Sequence, residues 1–449
     1  MRCSLPRATA AVVFSFYGGA SKAVDFILKG NICYSANARR LQSYVQSYLV
    51  CEGGVSRGVF TEIPGRYRGF PLHDFGECLI IPGLCDLHLH APQYTYRGLG
   101  MDLELLDWLN THTFPEEARY ADLDYAKRAY SLFADDLRRG ATTRASILAT
   151  IHAPATLMLM EMMEHTGLIT LVGKVNMDRN SPDCLREVSA QAAYDDTKDW
   201  IERASGRFAR TSPILTPRFV PTCTGQLMQK LGELQRDYNL PVQSHLSENQ
   251  GEIDWVSKLH PEAACYGKVY DNCGLFGGDA PTIMAHCVWT QGDEEALMRE
   301  RGVYIAHCPQ SNTNLASGIA PVRRFLDSGM RVGLGTDVAG GCHTSIFRAM
   351  SDAIQASKLR WRLVDQSLAQ LTVAEAFYLG TVGGGSFFGK VGSFEDGYEF
   401  DAVVIDDTSL ATTRPLPIED RLARIIYLSD DSFIRAKYAR GCEINLEPV

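Results

Sequence analysis

Leu79-Ile80-Ile81-Pro82-Gly83-Leu84-Cys85-Asp86-Leu87-His88-Leu89-His90 is an apolar run that ends in two histidines one residue apart. In a β-strand, residues i and i+2 point to the same side, so both imidazoles would face one space. A buried strand face does not ordinarily carry two polar rings, because each ring nitrogen then needs a partner. A shared metal ion is the simplest partner, since it takes a lone pair from each neutral imidazole.

From this run onward, short apolar segments alternate with amphipathic ones, the pattern of βα units that build a parallel sheet. The alternation predicts eight strands, over residues 79–90, 143–148, 170–177, 214–219, 242–248, 282–288, 303–308 and 332–337. The intervening helices carry punctuation. Tyr125, Ala129, Leu132 and Phe133 fall on one helical face that stops at Arg138-Arg139-Gly140. Leu227, Leu231 and Leu234 form a second stripe stopped before Pro241, and Pro321 and Gly329 frame a third helix. Eight strands, each followed by a helix, predict an α/β fold, a (β/α)8 TIM-like barrel over residues 79–389. A doubly wound open sheet is the alternative, but no G-x-G-x-x-G follows the first strand. Residues 25–78 and 390–449 carry short strand-like runs broken by Gly, Asn and Ser, and predict one small flanking β-sandwich formed by both chain ends. Residues 1–24, with Arg2, Arg7 and Lys22 and no acidic residue, read as an N-terminal extension, disordered or preceding the true start.

Composition narrows the function. Of 449 residues, 45% are hydrophobic and 22% charged, as in a globular protein with ample core. A net charge of −9 argues against nucleic-acid or anionic-membrane binding, which needs a basic face. No apolar run approaches the ~18–20 residues of a membrane span. Thirteen cysteines are scattered singly without a C-x-x-C, which reads as reduced thiols of a cytoplasmic protein. That spacing also excludes the cytidine-deaminase type of zinc site: an H-x-E occurs at His260-Pro261-Glu262, but no P-C-x-x-C follows it.

The chemistry-bearing residues fall at the C-terminal ends of the predicted strands, the face on which a barrel builds its site. The first strand ends in His88 and His90, the fifth in Gln243-Ser244-His245-Leu246-Ser247-Glu248, the sixth in His286-Cys287 and the eighth in Thr336-Asp337. His88, His90, His245 and Asp337 are the candidate metal ligands, leaving one position open for water. Glu248, three residues past His245, sits where a proton shuttle belongs, and His286 where it would orient the attacking water. His307 is ambiguous; His73, His112, His152, His165, His260 and His343 are read as surface or supporting residues.

These segments resemble a known family. Pro82-Gly83-Leu84-Cys85-Asp86-Leu87-His88-Leu89-His90, Ser244-His245-Leu246-Ser247-Glu248, Met284-Ala285-His286-Cys287 and Gly333-Leu334-Gly335-Thr336-Asp337 are similar to the amidohydrolase superfamily, a resemblance covering residues 25–449. Three further segments resemble the guanine deaminases within it. They are His90-Ala91-Pro92-Gln93-Tyr94, Leu105-Leu106-Asp107-Trp108-Leu109 leading to Thr113-Phe114-Pro115-Glu116-Glu117, and Thr216-Pro217-Arg218-Phe219. The resemblance implies a zinc enzyme that deaminates guanine to xanthine. Its metal would lie on His88, His90, His245 and Asp337, with Glu248, His286 and Asp337 catalytic. It further implies substrate contacts from Gln93, Arg218, Phe219, His245, Glu248 and Asp337, and a cytoplasmic homodimer. The physics agrees: guanine presents an O6 and N7 acceptor edge that Arg reads well, and Phe219 offers an aromatic surface. Arg218-Phe219 stands where binuclear relatives carry a bridging lysine, so one metal is expected. Zinc and iron both suit such N/O ligands. Another purine, pyrimidine or triazine ring as substrate of a deaminase or chlorohydrolase, and a non-catalytic scaffold on the same fold, are the alternatives.

Overall fold

A computed structural model of the chain describes residues 25–429 and 431–447; the extension expected over residues 1–24 lies outside them. Four strands come first: β1 (Phe26–Asn37), β2 (Arg40–Glu52), β3 (Val55–Phe60) and β4 (Leu72–Pro82). Short strands then alternate with helices: β5 (Leu84–His90), β6 (Thr142–Leu148), β7 (Ile169–Gly173), β8 (Val175–Asn176), β9 (Thr211–Pro213), β10 (Thr216–Pro217), β11 (Val242–Leu246), β12 (Thr282–His286), β13 (Tyr304–His307) and β14 (Arg331–Leu334). β15 (Ala402–Ile405), β16 (Ile434–Ala439) and β17 (Cys442–Glu443) follow.

The alternation yields the α/β class that the sequence predicts. Every pairing among β5 to β14 is parallel, in the orders β5-β6-β7-β9, β10-β8 and β11-β12-β13-β14. Backbone bonds join these sets. Gln243 N–H donates to Leu215 O (2.9 Å), while Asp337 N–H to His88 O (2.8 Å) and His90 N–H to Val338 O (2.9 Å) link the end of the last strand to the first. Parallel strands covered on both faces read as continuous apolar runs, and β5, β6 and β12 are buried at every residue.

The single strand expected over 79–90 is two strands. β4 pairs with β1 and β15, and only β5, beyond Gly83, joins the parallel set. A Cβ at Gly83 would lie 2.2 Å from Thr143 Oγ1, so a side chain has no room where the chain crosses between the sheets. The strands expected over 170–177 and 214–219 are also interrupted. Lys174, fully buried on Glu187 (2.6 Å), separates β7 from β8, and Pro213 and Pro217 each remove a ladder donor.

Both chain ends build one hydrogen-bonded sheet, β17-β16-β15-β4-β1-β2-β3, as the flanking β domain of the sequence reading requires. One of its faces packs Phe26 edge-on to Phe400 at 5.2 Å, beside Leu28, Ile80 and Tyr438. Arg144 of β6 fastens it to the parallel strands: fully buried, it donates to both carboxylate oxygens of Asp401 (2.7 and 3.0 Å) and to Glu399 (2.8 Å). A fork of two parallel bonds to one carboxylate is the strong form of this pair.

The helix expected around residues 125–139 spans Leu123–Arg139, but its buried face is Ala126, Ala129, Tyr130, Phe133 and Leu137; Leu132 is 59% exposed. Asp122 caps the helix, its side chain accepting from the backbone N–H of Asp124 and Tyr125. The helix stops at Gly140 as expected, with that residue in an extended conformation (φ −71°, ψ 178°). Lys437 of β16, fully buried, donates to the carbonyls of Leu137 (3.4 Å), Gly140 (2.7 Å) and Thr142 (3.0 Å) and satisfies the helix end. Lys437→Met should therefore cost about 1–3 kcal/mol, read as a lower midpoint in urea unfolding, because buried carbonyls lose their donor.

Candidate active site

The ends of β5, β11, β12 and β14 bring His88, His90, His245, Glu248, His286 and Asp337 into one cluster. His90 Nε2 lies 3.3 Å from His88 Nε2 and 3.3 Å from His245 Nε2. Asp337 Oδ1 faces His88 Nε2 at 3.2 Å and His90 Nε2 at 3.3 Å, and its Oδ2 faces His286 Nε2 at 3.7 Å. Glu248 Oε2 lies 3.4 Å from His286 Nε2. All six residues are buried apart from the half-buried His245.

Local backbone geometry aims these groups. His286 (φ 70°), Cys287 (φ 51°), Ser247 (φ 47°) and Asp337 (φ 48°) adopt left-handed conformations just where their strands end. Such residues cost about 1–3 kcal/mol each and persist only when their surroundings hold them. Here Asp337 is held through His88 O, and Cys287 N–H donates to Leu246 O (3.0 Å). Asp86, buried two residues before His88, accepts from Thr336 Oγ1 (2.5 Å), Thr336 N–H (3.1 Å) and His88 N–H (3.1 Å), and so latches the first strand to the last.

The ring nitrogens away from the cluster fix the tautomers of two imidazoles. His245 Nδ1 meets the Arg218 carbonyl at 2.6 Å and His286 Nδ1 meets Asn312 Oδ1 at 2.9 Å, so each carries a proton on Nδ1 and turns its Nε2 inward. Imidazole nitrogens and a carboxylate converging at 3.2–3.7 Å make a donor set for a cation. His88 with His90 and Asp337, and His88 with His245 and His286, are each close enough to share one ion.

The electrostatics follow from burial. Desolvation pushes His88 down to about 4, against the pull of Asp337, and holds His245 well below the ordinary histidine range with help from His88 and His90. Burial opposes the charge of Asp337, but His88, His90 and His286 hold its carboxyl well below the usual range. Burial pushes Glu248 up to about 7, against His286. Burial also opposes the charge of His286, yet Glu248 and Asp337 together raise it.

The cluster forms one wall of a cleft of about 410 Å³, counted to its open mouth. Gln93, Arg218 and Phe219 line it with the cluster, so every predicted substrate contact reaches this cleft, and Leu105, Trp108, Leu109 and Leu315 supply an apolar remainder. A mostly apolar cleft with a few convergent polar groups is the usual form of a small-molecule site. Of the predicted metal ligands, His88 lies behind this wall rather than on it. His307, fully buried and pushed down to about 3 by burial, does not line the cleft, nor do the six histidines read as surface or supporting residues.

Two residues to which the sequence reading gave no role stand out. Glu117 is buried between Gln93 and Arg218, accepting from Gln93 Nε2 (2.9 Å) and from Arg218 Nη1 (2.5 Å). Its signal was an acidic pair, Glu116-Glu117, after a proline in a short helix, and nothing local tells which of the two turns inward. Asn312, which orients His286, had only its place after Pro309 to mark it.

The chain matches the amidohydrolase family over residues 79–437. It is 39% identical over 382 residues to a guanine deaminase of Dictyostelium discoideum, an alignment covering 83% of each protein. It is 34% identical over 391 residues to a guanine deaminase of Escherichia coli, covering 85% of each. Among solved structures, the crystal structure of guanine deaminase from C. acetobutylicum with guanine bound in its active site superimposes with a TM-score of 0.91. That comparison has 45% identity and covers 94% of this chain and 100% of the other.

Proposed function

This chain belongs to the amidohydrolase family, among its guanine deaminases, and on that premise we propose that it hydrolyses guanine to xanthine and ammonia with one zinc ion on His88, His90, His245 and Asp337. What carries the reading is a single cleft in which Arg218 and Gln93 face a cluster of imidazoles and carboxylates beside Glu248. The donor set fits a divalent ion: imidazole nitrogens about hydrogen-bond distance apart, His245 with its proton committed to the Arg218 carbonyl, and a carboxylate that stays ionised. Zinc, or iron in its place, would supply a Lewis acid that lowers the pKa of water toward neutrality.

The chain's own residues then divide the work. Arg218 and Gln93 fix the acceptor edge of the purine and Phe219 lies against its ring. Glu248, buried and pushed up to about 7, is tuned to take a proton from water and give it to N3 of guanine. The water oxygen attacks C2, while His286 and Asp337 steady the charge that develops there. A second proton, from the new hydroxyl, goes to the 2-amino group; the C2–N bond breaks, ammonia leaves and xanthine remains.

Among the described residues no helix is long and apolar enough to cross a membrane. A cytoplasmic location is supported by the many buried thiols, and a homodimer by the resemblance alone; the mass in solution tests the second. The activity is tested by ammonia release from guanine, adenine, cytosine and ammeline side by side. Guanine should give xanthine and ammonia in equal amounts, with kcat/KM at least about a hundredfold above the others, since a site built to bond polar ring groups rejects rings lacking them. Turnover of cytosine without turnover of guanine would overturn the assignment.

A further inference from the structure

Arg218 and Gln93 lie on different segments, 125 residues apart in the chain, yet one carboxylate holds both. Glu117 is 1% exposed, and its two oxygens are divided: Oε1 accepts from Gln93 Nε2 at 2.9 Å and Oε2 from Arg218 Nη1 at 2.5 Å. The amide of Gln93 is fixed at its other end too, because Ala339 N–H donates to Gln93 Oε1 at 3.2 Å. A side-chain amide bonded at both ends cannot flip, so its remaining N–H and lone pair point in set directions. The guanidinium of Arg218 stands 5.2 Å over the ring of Phe114, three residues before Glu117 in the same short segment, which fixes its plane. Arg218 itself is 3% exposed, so without Glu117 its charge would be buried with no counter-charge.

We infer that Glu117 is a positioning residue for substrate selection: it holds Arg218 and Gln93 as a fixed pair of hydrogen-bonding groups and so sets the preference for a purine carrying a 6-oxo oxygen. The inference rests on the guanine reading above. It extends that reading to a residue that reaches the cleft only through others, since Glu117 does not line it. A planar guanidinium spends one N–H on Glu117 and keeps the rest for an acceptor. A purine lacking O6 leaves those donors unmet, which is the arrangement that discriminates strongly against an analogue missing one oxygen.

The test compares guanine with 2-aminopurine, which lacks the 6-oxo oxygen. KM and kcat for guanine and the inhibition constant of 2-aminopurine are measured on wild type, Glu117→Gln and Glu117→Asp, with zinc content and thermal midpoint recorded for each. Glu117→Gln removes the charge, and Glu117→Asp keeps it but withdraws it by one methylene, so at least one variant is expected to fold. In a folded variant KM for guanine should rise at least tenfold, kcat should change less than threefold, and the 2-aminopurine constant should move less than threefold, with zinc still stoichiometric. Adding Glu117→Gln to Arg218→Ala should raise KM by less than twofold over Arg218→Ala alone. Equal losses for both ligands, a fall in kcat with unchanged KM, or additive losses in the double variant would overturn the role. So would folding failure of both variants, which would make Glu117 a structural group. Failure of wild type to deaminate guanine would instead sink the reading on which this role rests.

Discussion

Glu248→Gln should lower kcat by about 10²–10⁴-fold while zinc content and KM for guanine stay within about threefold of wild type. The side chain is 4% exposed and follows Ser247, whose left-handed backbone turns the chain out of β11 toward the cleft. Its backbone N–H is tied to Glu252 (2.9 Å), and its Oε1 accepts from Ser317 Oγ (3.1 Å). Gln has the same shape and keeps that acceptor, so placement survives, but an amide neither takes up nor releases a proton near neutrality. Glu248 is outside the proposed ligand set, so metal binding has no reason to fall. Single-turnover rates together with metal analysis separate the two effects. A variant turning over within threefold of wild type would remove Glu248 from the proton path, and one that loses zinc would place it among the ligands.

Much of this site was legible because its residues lie at fixed offsets from strand ends. His88 and His90 share a strand face by the two-residue period of a strand, and His245, His286 and Asp337 each close an apolar segment. The α/β alternation was legible for the same reason: buried parallel strands are short, nearly uniform apolar runs. What the sequence did not carry is decided by contacts between distant segments. The only local mark separating β4 from β5 in the apolar run 79–90 is Pro82-Gly83, which the sequence reading places inside one strand. The break depends on Thr143 crowding Gly83 and on Gly83 N–H reaching Asp401 O at 3.1 Å, more than three hundred residues away. In the helix Leu123–Arg139, Leu132 lies beside the buried stripe of Ala126, Tyr130, Phe133 and Leu137, and only the packed neighbours decide which edge of the apolar face is covered. Glu117, Asp86 and Asn312 were hidden for a related reason. A buried polar residue that supports another has no pattern of its own, only a partner brought close by the fold.

Stripping the metal should abolish deamination, by more than about a thousandfold, and zinc should restore it, because water without a Lewis acid keeps a pKa near 15.7 and Glu248 is too weak a base to ionise it. The stripped protein should also be less stable, since an ion at a thousand times its Kd stabilises the folded form by about 4 kcal/mol. The part of its remaining stability that His88 supplies should fall with acid in a defined window. Burial holds His88 near 4 in the fold against an ordinary value of 6.5, so the unfolded chain takes up the proton first. A group of this kind contributes fully above pH 6.5 and loses its contribution as pH falls toward 4, a loss of order 3 kcal/mol when complete. His245, also held down by burial, adds in the same direction. His286 and Glu248 work the other way. Burial opposes the charge of His286, but Glu248 and Asp337 raise its affinity for a proton, which adds stability that is complete below pH 6.5 and lost as pH rises. Burial pushes Glu248 up to about 7, which adds stability as pH falls from 7 toward 4.5. Compared with a His88→Asn variant stripped in the same way, the wild-type thermal midpoint should therefore lose ground as pH falls from 7 to 5, the opposing gain of Glu248 being common to both. A difference between the two that does not change across that range would mean that His88 is not buried as a neutral ring. Full activity after stripping would mean that the cluster is not where the reaction takes place.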